Sequence, residues 1–297
     1  MRKRIIGFSA IAATVSVMMV PRPWGSTLRT WDPTLVGFAA QRGAAPETTT
    51  GGTPAAATSP AGSGGLQTGR GRGPAAPQGP TPRLPDGSVD LSGLWQGGGS
   101  GGDIAQGLPK GETIPLLPEA KKLMESRKSG DDPEANCLPT GVPRVAPYPW
   151  RIVQSPAFKK ATHLYFLFEG NIHSFRQIFV DGRKHPDDPD PTWYGHSVGR
   201  WEGDTLVIDT VGFNDKFWFD FRGHPHTEKL HTIERWTRTD LGTLVNEVTI
   251  DDPGAYSRPF TVTFTARLRP ADELMEYICQ ENEQDAKHIK TQPAGVP

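Results

Sequence analysis

From residue 151 to residue 279 the chain alternates short runs rich in β-branched and aromatic residues with turn-forming punctuation, and this alternation constrains the fold more than any other feature. The runs fall at 151–154, 163–169, 172–180, 205–213, 226–239, 244–250, 260–268 and 274–279. Turn residues separate them: Gly170-Asn171, Asp181-Gly182, Gly203-Asp204, Leu241-Gly242 and Asp252-Pro253-Gly254. Runs of this composition suit a pleated, half-buried surface. Short connections imply antiparallel neighbours, because a parallel pair needs a crossover of roughly a dozen residues or more. With a first strand at 90–96, the pattern predicts a mainly β fold, an antiparallel meander of eight or nine strands that closes into a barrel or a strongly bent sheet. A β-sandwich is the alternative. One helix is expected at 118–128, with Pro118 in its first turn, Glu119 at the positive end and Lys121, Lys122, Arg127 and Lys128 toward the other. Leu117, Ala120 and Met124 form its buried stripe.

The segments before residue 86 differ in kind. Arg2, Lys3 and Arg4 precede an uncharged apolar run from 5 to 20, the pattern of a secretory signal. The run is shorter than the roughly 20 residues of a membrane-spanning helix and ends at Pro21, so membrane association is expected only through an uncleaved anchor. Residues 1–41 therefore read as a signal peptide and its trailing segment, 42–85 as an Ala/Gly/Pro-rich linker, and 86–297 as one β-rich domain with a short C-terminal tail. Residues 1–85 hold 9 of the 32 Lys and Arg and 2 of the 33 Asp and Glu, which leaves the domain 23 basic against 31 acidic residues, near -8. That sign argues against nucleic acid as a partner. Export places the domain in the periplasm, on the cell surface or outside the cell, where Cys137 and Cys279 are expected to pair.

Two resemblances carry further expectations. Gly93-Leu94-Trp95 resembles the first strand of lipocalin-like barrels, whose Gly-x-Trp lays an indole across the closed end. Three longer segments, DDPEANCLPTGVPR at 131–144, DPDPTWYGHSVGRWEGD at 188–204 and GHPHTEKLHTIER at 223–235, resemble a family of exported bacterial proteins that carries no assigned reaction. This second resemblance spans about 86–283; it implies export and the extent of the domain, and assigns no catalytic residue.

The residues that could carry chemistry are few. On an extended backbone His224, His226 and Glu228 fall on one side, where two imidazoles and a carboxylate, with His196 as a fourth ligand, would suit a divalent metal. The pattern is similar to the His-x-His of cupins but departs from it, since Glu228 follows His226 by only two residues. Pro225 has no ladder donor and places His224 at a strand edge or in a loop. The alternative is that these groups satisfy one another and the backbone at a barrel rim. Glu234 beside Arg235 reads either as a catalytic acid with its tuner or as a structural ion pair. Asp209 reads either as a general base inside the barrel or as a solvent-facing carboxylate. Together His226, Glu228, Glu234 and Asp209 are the catalytic candidates. The aromatic stretch 211–221, with Phe213, Asn214 and Trp218, would line a pocket for a sugar or planar ligand, or cap a barrel end. His196, Trp201 and His224 join it as candidate ligand contacts, with Trp193 and Tyr194 as further walls.

Nucleophile-elbow, phosphate-loop, dinucleotide and zinc-protease motifs are absent from the sequence. Three functions remain in play: a barrel that binds a small aromatic or carbohydrate molecule, an enzyme of metal-assisted or general acid/base type (hydrolase, lyase or isomerase) built on the 224–228 wall, and a structural envelope protein.

Overall fold

The computed structural model describes residues 75–144, 148–156, 160–170, 174–279 and 281. The signal segment and residues 42–74 of the linker lie outside the described residues. The fold is a closed barrel of nine strands in chain order: β1 (Gly93–Gly97), β2 (Trp150–Ser155), β3 (His163–Phe168), β4 (Phe175–Phe179), β5 (His196–Glu202), β6 (Thr205–Val211), β7 (His231–Asp240), β8 (Thr243–Asp251) and β9 (Phe260–Leu268). One helix, α1 (Pro118–Ser126), precedes β2, and only Ala120 of its expected stripe is fully buried. β1 closes the ring by pairing with both β2 and β9.

The expected meander needs one correction. Nine strands that neighbour one another in sequence around a ring cannot all be antiparallel, because alternating directions return to the start only for an even number. One pair must run parallel, and it is β4 with β5. The connection between them, residues 180–195, is accordingly the length of a crossover rather than a turn. β5 itself is not among the runs that the sequence pattern marks, and the 274–279 run forms no strand. β7 also starts five residues later than expected, after a loop that contains Pro225.

Two apolar cores fill the barrel. One gathers Trp95, Trp150, Phe166, Ile178, Leu206 and Trp236 from β1 to β4, β6 and β7. Trp95 is fully buried, its indole N–H donates to Leu91 O at 3.1 Å, and the Arg238 guanidinium lies 4.8 Å from the centre of its ring. The other core packs Phe213, Phe217, Phe219 and Tyr256 with Val142 and Ala120. The expected disulfide is present between Cys137 and Cys279, which ties the segment before β2 to the chain beyond β9.

Described residues ahead of 86, inside the stretch that composition assigns to the linker, are bonded to the barrel. The Leu241 N–H donates to Gly79 O at 2.9 Å, the Thr81 hydroxyl donates to Arg238 O at 3.1 Å, and Arg83 makes a two-pronged pair with Asp204. Among the described residues no helix is long and apolar enough to cross a membrane.

Candidate functional site: a polar pair in an aromatic cleft

Strand alternation decides what faces the barrel axis. On β4 the inward positions are Arg176 and Ile178, on β5 Ser197, on β6 Leu206, Ile208 and Thr210, and on β7 Thr232, Glu234 and Trp236, all buried. The fold thus carries an arginine and a glutamate into its centre. Arg176 Nη2 lies 2.5 Å from Glu234 Oε2, with side chains 2% and 1% exposed. Arg176 also donates to Ser197 Oγ at 3.1 Å and Thr210 Oγ1 at 2.8 Å, and the Trp236 indole N–H donates to Glu234 Oε1 at 3.3 Å. A buried charge is tolerated when it is paired and hydrogen-bonded. Arg176 and Glu234 are paired, but Glu234 Oε2, the oxygen nearest Arg176, makes no well-formed hydrogen bond among the described residues.

The pair stands in the wall of a cleft also lined by the aromatic side chains of Trp150, Phe166, Phe168 and Trp236 and by Val142 and Pro143. The non-atomic space there is about 270 Å³, solvent at the opening included. As it stands, the cleft accommodates about one water. The Trp150 and Phe166 rings stack at 5.3 Å and Trp236 meets Trp150 edge-on at the same distance. Val142 and Pro143 are held in place by their neighbours on both sides. On one side Arg144 is buried, grips the Asp132 carboxylate at 2.9 and 2.7 Å and Glu134 at 2.6 Å, and lies 4.4 Å from the centre of the Phe221 ring. On the other, Gly141 has φ +67° and packs on Phe217 so closely that a Cβ would come within 2.4 Å of the ring, so this turn admits glycine only.

The residues singled out in the sequence are distributed differently. Glu234 faces the cleft, but its partner is Arg176. Arg235 points outward to Glu202 at 2.8 Å, because neighbours on a strand lie on opposite faces. Asp209 and His196 lie half-exposed on the outer face of β6 and β5. Burial, then His185 and Arg183, lower the His196 pKa. Trp201 packs against the first core, while Phe213 and Trp218 are buried, Trp218 under the Arg127 guanidinium at 4.7 Å. Asn214 is buried, with its side-chain oxygen accepting the Lys216 N–H at 3.1 Å. Phe213, Phe217 and Phe219 of the 211–221 stretch pack into the second core, and neither this stretch nor His196, Trp201 or His224 lines the cleft. Tyr194 stacks on Phe168, its hydroxyl bonded to Ser174 and its pKa pushed up to about 12, chiefly by burial.

The stretch 224–228 is a loop, so the one-sided array of an extended strand does not form. His224 pairs with Asp220 at 2.6 Å, and Glu228 is exposed. His226 is buried between Phe217 and Phe219, ring centres 3.8 and 5.2 Å away. Its Nε2 makes no well-formed hydrogen bond, and burial pushes its pKa down to about 4. Among the described residues, the group whose ligand atoms all lie within 4.8 Å of one another is Asp103, Asp220 and His224. Of the expected metal set, His224, His226, Glu228 and His196, only His224 takes part. These donors already have duties. The Asp220 carboxylate accepts the Ile104 N–H at 2.7 Å and the His224 N–H at 3.2 Å as well as facing the imidazole, and Asp103 caps the short helical turn Ile104–Gly107. The arrangement fits a loop anchor whose oxygens are engaged without an ion.

Arg176, Trp150, Phe166 and Phe168 escape sequence reasoning. The available signal is parity: Arg176 shares its strand face with Ile178, so a charge stands where the alternation calls for an apolar residue. Comparison with protein families, curated proteins and solved structures gives no match for this chain.

Proposed function

We propose that the protein is an exported small-molecule-binding β-barrel, periplasmic, cell-surface or secreted, and that its ligand enters the cleft at Trp150, Phe166, Phe168 and Trp236 and addresses the Arg176–Glu234 pair. The observation that carries this reading is the pair itself. Replacing a buried ion pair with apolar residues of similar volume is often neutral or stabilising by about 1–4 kcal/mol, so stability alone gives little reason to keep one in an aromatic wall. A cationic donor beside an anionic acceptor matches a planar ligand that carries a carbonyl next to an N–H or O–H, as in an aromatic amide. Aromatic walls with few polar groups fixing orientation are the usual make-up of a small-molecule site. A ring needs more room than one water, so the cleft walls must part to admit it. The disulfide and the leader-like N-terminus support an oxidising, non-cytoplasmic setting.

Benzamide is a suitable probe, since its carbonyl complements Arg176 and its N–H complements Glu234. The expected outcome is saturable binding that is lost in the double variant Arg176→Met/Glu234→Leu while the thermal midpoint stays level or rises. A double variant that unfolds, with no fragment binding to the wild type, would favour a purely structural barrel.

A further inference from the structure

The outer face of the barrel holds a second polar cluster, assembled from four separate places in the chain. His185 comes from the crossover between β4 and β5, His196 opens β5, Asp209 lies on β6 and His231 opens β7. The register explains the meeting. Asp209 stands opposite Val198 on one side and Ile233 on the other, so His196 and His231, each two residues along, share its outward face. His185 Nε2 lies 3.1 Å and His231 Nε2 2.9 Å from the same atom, Asp209 Oδ1, and His185 Nδ1 lies 2.8 Å from His196 Nδ1.

We propose that this cluster is a site for a divalent transition metal of zinc type, with His185 Nε2, His231 Nε2 and Asp209 Oδ1 as ligands and His196 as the group that orients His185. Ligand atoms bound at about 2.0–2.2 Å to one ion stand roughly 3 Å apart, which is the separation each imidazole nitrogen already has from the carboxylate oxygen. A metal-bound imidazole hands its other ring N–H to an acceptor, and His185 Nδ1 faces His196 Nδ1. Two histidines and one carboxylate leave coordination positions free, and the side chains of His185, Asp209 and His231 are 21%, 28% and 37% exposed, so water or a substrate oxygen can reach them.

The cluster is not yet closed around a point. Its two outer nitrogens stand farther apart than 4.8 Å, since that spacing holds for Asp103, Asp220 and His224 and not for this trio. The ion would draw His185 toward His231. The crossover can yield where strands cannot, as His185 sits outside the ladder. Binding should therefore fix the 180–195 connection on the barrel wall.

The test is titration of the chelator-stripped full-length protein with Co²⁺, read by its visible absorption, followed by displacement with Zn²⁺. One equivalent of Co²⁺ should bind and be displaced by Zn²⁺. Asp209→Asn and His231→Ala should each weaken binding on the order of 100-fold, and His196→Ala by roughly 10-fold, as expected for an orienting partner. Because all three positions are half-exposed, circular dichroism should report unchanged folding. No stoichiometric binding to the wild type would overturn the proposal. So would binding that survives Asp209→Asn and His231→Ala but disappears in Asp220→Asn, which would move the ion to the Asp103, Asp220 and His224 group.

Discussion

The loop at 220–228 and the outer face of β5 to β7 are both rich in imidazole, yet the fold puts these rings to opposite uses. In the loop, His226 is sandwiched by phenylalanines and His224 is spent on Asp220. On the outer face, His185, His196 and His231 remain within reach of solvent; His185 and His231 converge on the Asp209 carboxylate, and His196 meets His185. The local sequence at 224–228 looks more like a metal motif than the scattered residues of the outer face do. What separates the two is burial: a ring with no room for water behaves as a core residue with a polar cost, and a ring at the surface stays open to solvent and to an entering ion.

The largest effect should come from the network that holds the buried region together. Arg144→Met leaves Asp132 and Glu134 facing each other without their cation, and should cost about 3–5 kcal/mol in denaturant unfolding. A loss below about 1 kcal/mol would mean that the barrel end is not anchored there.

Acid should then expose the burial of His226. His226 in the folded protein has its pKa pushed down to about 4, whereas in the unfolded chain it titrates near the ordinary value of about 6.5. Between those values the unfolded state binds a proton that the native state refuses, so stability present above about pH 6.5 is lost as pH falls toward about 4. The loss amounts to about 3 kcal/mol. His226→Leu should remove that part of the pH dependence, measured as the difference between wild-type and variant unfolding free energies across the range. A wild type and variant that run parallel with pH would show that His226 is not held neutral by burial.

The smallest effect belongs to the outer face. In metal-free protein, His196→Ala and His231→Ala should each change stability by no more than about 0.5 kcal/mol, as for other partly exposed positions. A cost of about 2 kcal/mol or more, on the scale of a buried orphaned partner, would erase the contrast between the two regions.

Much of the barrel is legible in the sequence because its strands pair an apolar inner face with a polar outer one. Where a segment departs from that rule the reading fails for a physical reason. β5 escapes notice because Gly199 breaks its apolar pattern, yet glycine is required there: a Cβ would come within 2.7 Å of Val180 and 2.9 Å of Ile178 on β4. The 274–279 run looks like a strand, but Met275, Tyr277 and Ile278 are exposed, and the segment is held by the Met275 N–H donating to Glu169 at 3.0 Å and by the Cys279 disulfide. The parallel pair follows from the parity of the strand count, which requires β5 to be recognised first. Of the site, Glu234 is visible and its partner is not, since adjacency in sequence suggests Arg235 whereas the pleat turns that residue to the opposite face. His185 lies in a proline- and aspartate-rich crossover with no periodicity to mark it.

The claim that the Arg176–Glu234 pair serves a ligand is tested most directly at the Trp236 indole, whose N–H donates to Glu234 and so reports on the cleft. In nitrogen-15 NMR spectra of the full-length protein, benzamide should shift the Trp236 indole resonance in a saturable way, with no such shift in the folded Arg176→Met/Glu234→Leu variant. An indole signal that stays fixed up to the solubility limit of benzamide, or that moves equally in wild type and double variant, would contradict the assignment of the cleft as a binding site.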